Sequence, residues 1–185
     1  SANQYSMAQL YDLMGAIRRF RESGKFTYVI SDSYGEDGSG MSEYLLASAF
    51  ENIWLQPVGT VDISGFNLRS PYINALLERF NITPSFFKRE GYKSMAETFQ
   101  REGMSPENKE QMQALLDVFV DEFAQTVVVN RGMNAQTVKD AIKQAPLLDK
   151  TAQRLGFVDQ VGYIDQLFTE VKTFHDFDNT QEGDY

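Results

Sequence analysis

The sequence predicts an α/β fold, a mostly parallel sheet with helices packed on its faces, and three features carry that reading. Amphipathic helical stretches alternate with short runs of β-branched and aromatic residues through the first half. Glycine- and proline-rich turns separate them. From Ser105 onward helical periodicity takes over. The chain has 185 residues, 42% apolar and 23% charged, enough to bury a real core in one compact domain.

Residues 5 to 22 place Met7, Leu10, Met14 and Ile17 at helical spacing, with Leu13 and Phe20 widening the stripe and Ser23-Gly24 ending it. Phe26 to Ile30 (FTYVI) reads as a strand running into the loop SDSYGEDGSG. Met41 to Phe50 reads as a short helix, and Ile53-Trp54-Leu55 as a buried strand closed by Pro57. Val61 to Ile63 is a further strand, Pro71 opens a helix to Phe80, and Ile82 to Phe87 is extended around Pro84. Ser105 as N-cap, Pro106 at the first helical position and Glu107 in the first turn then start a long helix. Its stripe Met112, Leu115, Leu116, Phe119, Val120, Phe123 and Val127 predicts one buried face, and Asn130-Arg131-Gly132 ends it. Ala135 to Lys143 and Lys150 to Leu155 read as shorter helices, Gly156 to Asp159 as a turn or extended piece, and Tyr163 to Phe174 as the last helix.

Composition removes several chemistries. There is no cysteine and one histidine, His175, in a polar tail, so a Cys nucleophile, a Cys-rich zinc site and a multi-His metal site are excluded. No cofactor is implied. Serine hydrolysis through a histidine base would have to recruit His175, so for acyl-transfer chemistry a lysine or carboxylate base is the better expectation. With 17 basic and 26 acidic residues the formal net charge is -9, and no window forms a basic stripe, which argues against nucleic acid as a partner. Asp176, Asp178, Glu182 and Asp184 make the last ten residues an acidic, solvated segment. No stretch approaches the ~20 apolar residues of a membrane span, so the chain is expected to be soluble.

Few residues are placed to carry chemistry. Gly38-Ser39-Gly40 has the small side chains of a phosphate-binding loop but lacks the Walker lysine and the glycine spacing, so a plain turn is the simpler reading. Ser39 and Ser42 flank a strand-to-helix turn, where serine nucleophiles sit. Neither has a histidine nearby, and both also suit turn or cap roles. Lys93, in Gly91-Tyr92-Lys93-Ser94, would by composition alone be an ordinary surface charge.

The segment GYKSMAETFQREGMSPENKE at 91 to 110 resembles the lysine-bearing segment of the long form of the bacterial signal peptide peptidase A (protease IV) family. The likeness continues through EYLLASAFENIWLQPVGTVDISGF at 43 to 66, PYINALLERFNI at 71 to 82, VVVNRGM at 127 to 133 and LLDKTAQRLGFVDQVGYID at 147 to 165. It implies a Clp protease/crotonase-like spiral of ββα units, truncated here, with a helical C-terminal part. It also implies a serine peptidase with a Ser/Lys dyad, in which Lys93 is the general base. To take a proton from a serine hydroxyl at neutral pH, such a lysine must lose its charge, its pKa falling from ~10.4 by desolvation. Tyr92, Met95 and Phe99 are expected to supply part of the apolar wall. Ser94 either hydrogen-bonds the lysine or caps the following helix.

The nucleophile is where the chain departs from the family pattern. In short forms it is the Ser of a Ser-Gly-Gly segment ahead of a helix; aligning the following Tyr with Tyr44 puts Met41 at that position, with Ser42 and Glu43 in place of the glycines. The resemblance therefore implies an amino-terminal half of the long form: residues 1 to 172 a lysine-bearing half-domain, 173 to 185 an acidic linker toward a second half that supplies the serine. A membrane anchor and the first strands of the fold are expected before Ser1. The implied setting is the bacterial inner membrane, periplasmic side, with cleaved signal peptides as substrates and a homo-oligomer, a tetramer for the long form. The chain alone is expected to be inactive. The alternative is a noncatalytic half that shapes the substrate groove and the oligomer, with Lys93 structural; a crotonase-type acyl-CoA enzyme is a third reading from fold analogy alone.

Overall fold

The computed structural model describes residues 5–36, 38–86 and 94–174. The elements run α1 (Met7–Glu22), β1 (Tyr28–Ser31), α2 (Met41–Ala47), β2 (Asn52–Leu55), β3 (Thr60–Val61), α3 (Asn74–Arg79) and α4 (Glu97–Gln100). They continue with α5 (Pro106–Arg131), α6 (Ala135–Gln144), β4 (Leu147–Leu148), α7 (Asp149–Leu155), β5 (Gln160–Val161) and α8 (Ile164–Phe174). Two compact units result: Ser1–Gly65 with Phe123–Tyr185, and Phe66–Glu122.

The first unit is α/β. Its three-stranded sheet is parallel, in the order β1–β2–β5, with Tyr28 opposite Asn52 and Trp54 opposite Gln160. The central strand β2 buries Ile53, Trp54 and Leu55 in succession, the run without alternation expected of a strand covered on both faces. At Gly162, just past β5, an added Cβ would lie 2.8 Å from the Trp54 ring, so glycine is required for that approach. A second, two-stranded sheet pairs β3 and β4 antiparallel, Thr60 opposite Leu148. Helix α7 packs against β3, β4 and β5, and α1 against α2.

Helix α1 starts with a capping box: the Ser6 hydroxyl accepts from the Gln9 N–H and the Gln9 side chain accepts from the Ser6 N–H. It buries Leu10 and Met14, but Leu13 and Phe20 are left exposed, so the buried stripe is narrower than its pattern predicts. Strand β1 begins two residues later than predicted, at Tyr28; Thr27 just before it accepts from the Glu51 N–H on its Oγ1 and from the Asn52 N–H, the first bond of the ladder to β2, on its carbonyl. The predicted strand at Val61 to Ile63 stops at Val61. Asp62 directs its N–H to the Tyr34 carbonyl and its carbonyl to the Gly40 N–H, diverting the ladder into the 34–40 loop. Strands β4 and β5, of two residues each, are too short for periodicity to announce.

The second unit holds α3, α4 and α5 as far as Glu122. Helix α3 starts at Asn74 rather than at Pro71, and the Ile73 N–H at its start donates to the Thr98 carbonyl at 2.8 Å, which ties it to α4. Residues 82–86 carry no regular element. Ser105 caps α5 as predicted, its hydroxyl accepting from the Asn108 N–H at 3.1 Å. The expected buried face is only partly realised. Leu115 and Phe119 are exposed, Phe119 touching Phe66 across 5.7 Å, whereas Phe123, Ala124 and Val127 in the first unit are buried.

Candidate active site

The strand-to-helix turn singled out by the sequence is built from backbone contacts. The Gly40 N–H donates to the Asp62 carbonyl at 2.7 Å, and an added Cβ on Gly40 would lie 2.5 Å from the Tyr34 carbonyl carbon. Gly35 is equally confined: its φ is +101°, and a Cβ there would come within 2.7 Å of Gly38 O and Gly40 N. The Gly38 N–H donates to the Gly35 carbonyl and the Met41 N–H to the Ser39 hydroxyl. Three of the donors that a phosphate loop would aim at an anion, the Gly38, Gly40 and Met41 N–H groups, are thus taken by the protein itself, which supports the plain-turn reading.

Glu43, in the first turn of α2, folds back to accept from the Gly35 N–H at 3.0 Å and locks the loop onto the helix. Met41 opens α2 and is buried, 1% exposed. Its thioether has no proton to lose and no lone pair basic enough to attack a carbonyl. Ser39 and Ser42 are half-buried; Ser39 holds the Met41 N–H, the turn role it shares with other short polar residues. Tyr44, the residue aligned with the family tyrosine, is fully buried, donates its hydroxyl proton to the Phe157 carbonyl at 2.7 Å, and lies edge-on to Tyr34. Burial pushes both phenols well above their ordinary pKa. Neither ionises in the working pH range.

A cleft of about 440 Å³ opens between β1 and α2, lined by Ile30, Ser31, Tyr34, Glu43, Leu46 and Phe50 among others. The Ser31 hydroxyl donates to the Ser33 carbonyl at 2.7 Å, and among the described residues no lysine or histidine lines this cleft.

Lys93 and Tyr92 lie outside the described residues, as do His175 and the acidic segment 176–185. The chain is described again from Ser94. Met95 is 89% exposed, which removes it from the apolar wall expected around the lysine; Phe99 is half-buried and stacks on Phe86 at 5.7 Å. Ser94 contributes its backbone: its carbonyl accepts from the Glu97 N–H at 2.9 Å, while Ala96 occupies the N-cap of α4.

The residue that sequence reasoning missed is Glu97. It is 2% exposed and accepts from the Ser105 N–H at 3.1 Å, the Ser105 hydroxyl at 2.5 Å and the Asn108 amide at 3.1 Å. Burial alone would raise its pKa, but these hydrogen bonds and the charge of Arg101 outweigh it and hold the carboxyl below its ordinary value. The available signal was a carboxylate eight residues ahead of a Ser-Pro-Glu helix start. That spacing has no regular periodicity behind it.

A strand–glycine turn–helix unit in an α/β chain, followed by a Gly-Tyr-Lys-Ser segment, defines a class. The signature of Peptidase family S49 matches residues 19–177, and the chain belongs to that family. Within it, the chain is a member of the protease IV, or signal peptide peptidase A, group. It is similar to Protease 4 of Haemophilus influenzae, 31% identical over 159 residues, which are 85% of this chain and 25% of that relative. It is also similar to Protease 4 of Salmonella typhi, 33% identical over 121 residues, 65% of this chain and 19% of that relative. The chain thus spans about a quarter or less of the relatives it matches.

Proposed function

We propose that this chain is the lysine-bearing part of a Ser/Lys endopeptidase whose nucleophile lies elsewhere in the protein. The observation that carries the reading is Met41. At the helix start where the family alignment expects the attacking serine there is a buried thioether, 1% exposed, locked behind Gly40. Lys93 then acts on a serine supplied by another segment. Its neutral Nζ takes the hydroxyl proton as Oγ attacks the scissile carbonyl, and the resulting ammonium returns that proton to the leaving amine. The absence of cysteine and the single histidine accord with a base that needs no imidazole.

The α/β sheet unit is compatible with the Clp protease/crotonase-like spiral, and we extend the proposal to that fold. It extends likewise to signal peptides as substrates, to a homo-oligomer, and to a periplasmic site at the bacterial inner membrane. Among the described residues no helix is long and apolar enough to cross a membrane. A second reading, a scaffold part that shapes the groove and the oligomer, is favoured by the exposed apolar side chains of the 66–122 unit, Leu76, Phe80 and Ile82 among them.

The test uses a fluorophosphonate probe and a fluorogenic apolar peptide. The chain alone should neither hydrolyse the peptide nor be labelled; labelling at Ser39 or Ser42, with turnover lost on replacing either, overturns the proposal. In the longer protein, Lys93→Ala should abolish turnover with the fold intact, and near-normal turnover would favour the scaffold reading.

A further inference from the structure

Strand β1 has the sequence of an interior strand and the position of an edge strand. Tyr28-Val29-Ile30-Ser31 carries no charge or proline of the kind that blunts a natural sheet edge, yet among the described residues it has one neighbour, β2. The ladder identifies the groups left over. The Thr27 and Ser31 carbonyls accept from the Asn52 and Gln56 N–H groups, so alternate residues face β2. The N–H and C=O of Ile30 turn the other way, where no described residue pairs with them. All four residues of β1 stay half-buried, whereas β2 buries three of its four.

The space beside that edge is shaped for more chain. Val29, Ile30 and Ser31 point alternately to the two faces of the sheet, yet all three line the cleft, so it runs along the edge of β1 rather than over one face. Its far wall is apolar, Leu46 and Ala47 of α2 with Phe50 just beyond. A further observation comes from α1. It leads into β1 and packs on α2, the place of a helix that crosses over between parallel neighbours, as α2 does between β1 and β2. Such a helix covers both strands it joins, but α1 is covered on part of its stripe: Leu10 and Met14 are buried, while Leu13 and Phe20 are 39% and 46% exposed.

We propose that the free edge of β1 seats a fourth, parallel strand, contributed by the part of the longer protein that precedes Ser1. Its backbone pairs with the Ile30 N–H and C=O, and its apolar side chains fill the cleft and extend the cover of α1. The inference rests on this chain being one part of a longer protein, of which its relatives leave three quarters or more outside the match, and on neither Lys93 nor Met41.

Amide exchange at Ile30 tests the strand, with Val29, whose N–H faces β2, as the reference in the same peptide. In this chain Ile30 should exchange fast and Val29 slowly; in the longer protein Ile30 should slow by about 100-fold or more while Val29 changes little. Leu46→Asn, on the half-buried wall of the cleft, should weaken that protection and leave Val29 protected; the unaltered protein carries the test if this variant does not fold. A photocross-linker at the same place, Leu46→p-benzoylphenylalanine, identifies the occupant, and its product should map to residues preceding Ser1. Fast exchange of Ile30 in the longer protein overturns the proposal, as does protection indifferent to Leu46→Asn or a cross-link to a second copy or to a segment beyond Tyr185. Protection that arises only on adding an apolar peptide makes the edge a peptide seat and overturns it equally. Labelling of Ser39 or Ser42 by the fluorophosphonate probe, which sinks the peptidase reading, leaves both measurements unmoved.

Discussion

The two units bury opposite kinds of side chain. In the sheet unit the interior is apolar: Leu10, Met14, Tyr44, Ile53, Leu55, Phe123 and Phe157 are all buried. Among the described residues of the 66–122 unit, the buried side chains are Glu97, Ser105 and Asn108, a carboxylate, a hydroxyl and an amide, while Leu76, Phe80, Ile82, Leu115 and Val118 lie exposed. The first unit is thus held by area removed from water and the second by matched polar groups. Apolar burial tolerates small shifts of position; a carboxylate with three donors does not, because each bond fails within a few tenths of an ångström. The unit that carries the Gly-Tyr-Lys-Ser segment is the one organised by directional contacts.

The sharpest way to break this contrast is at Tyr44. Tyr44→Ala empties a fully buried site in contact with Tyr34, Phe123 and Phe157, and should destabilise the chain by about 4 kcal/mol, measured by urea denaturation. Tyr44→Phe keeps the ring and leaves the Phe157 carbonyl unsatisfied, for a loss of about 1–2 kcal/mol. Equal effects of the two would mean that the sheet unit, too, depends on polar contacts.

Helix α5 offers an internal control, because it runs from one unit into the other. Val127→Ala, in the first unit, should cost about 2 kcal/mol by the same measurement, whereas Val118→Ala, 62% exposed in the second, should stay within about 0.5 kcal/mol. A large effect at Val118 would show that its face is covered.

The smallest effect is expected in acid. Burial works to raise the pKa of Glu97, but the bonds from Ser105 and Asn108 outweigh it and folding lowers the value. Its stabilisation is therefore present above the unfolded value, ~4.3, and disappears as pH falls through the folded one. Asp149, lowered by the Val58 and Lys150 N–H groups, behaves the same way in the sheet unit. In Glu97→Gln, hydrogen exchange of residues 94–108 should lose its acceleration below about pH 4.3 while the sheet unit keeps its own. Unchanged acid acceleration in that segment would count against the Glu97 network.

Much of the fold was legible. The helices α1, α2, α5, α6 and α8 and strand β2 fall where periodicity and caps put them, each end within a few residues. Where the reading failed, a distant partner intervened. Asp62 ended a strand by turning to Tyr34 and Gly40, and the start of α3 is tied through the Ile73 N–H to Thr98. Glu97 was invisible for the same reason, since a carboxylate eight residues from its donors leaves no pattern.

By itself the sequence determined the helix/strand order, the Ser105 cap, the family, and the lack of any thiol. These depend on local spacing or on which residue types exist at all. Only the tertiary structure decided which apolar faces are covered and that one carboxylate is buried at the joint of α4 and α5. Burial is a property of a side chain and the surface opposite it, and that surface comes from residues far along the chain.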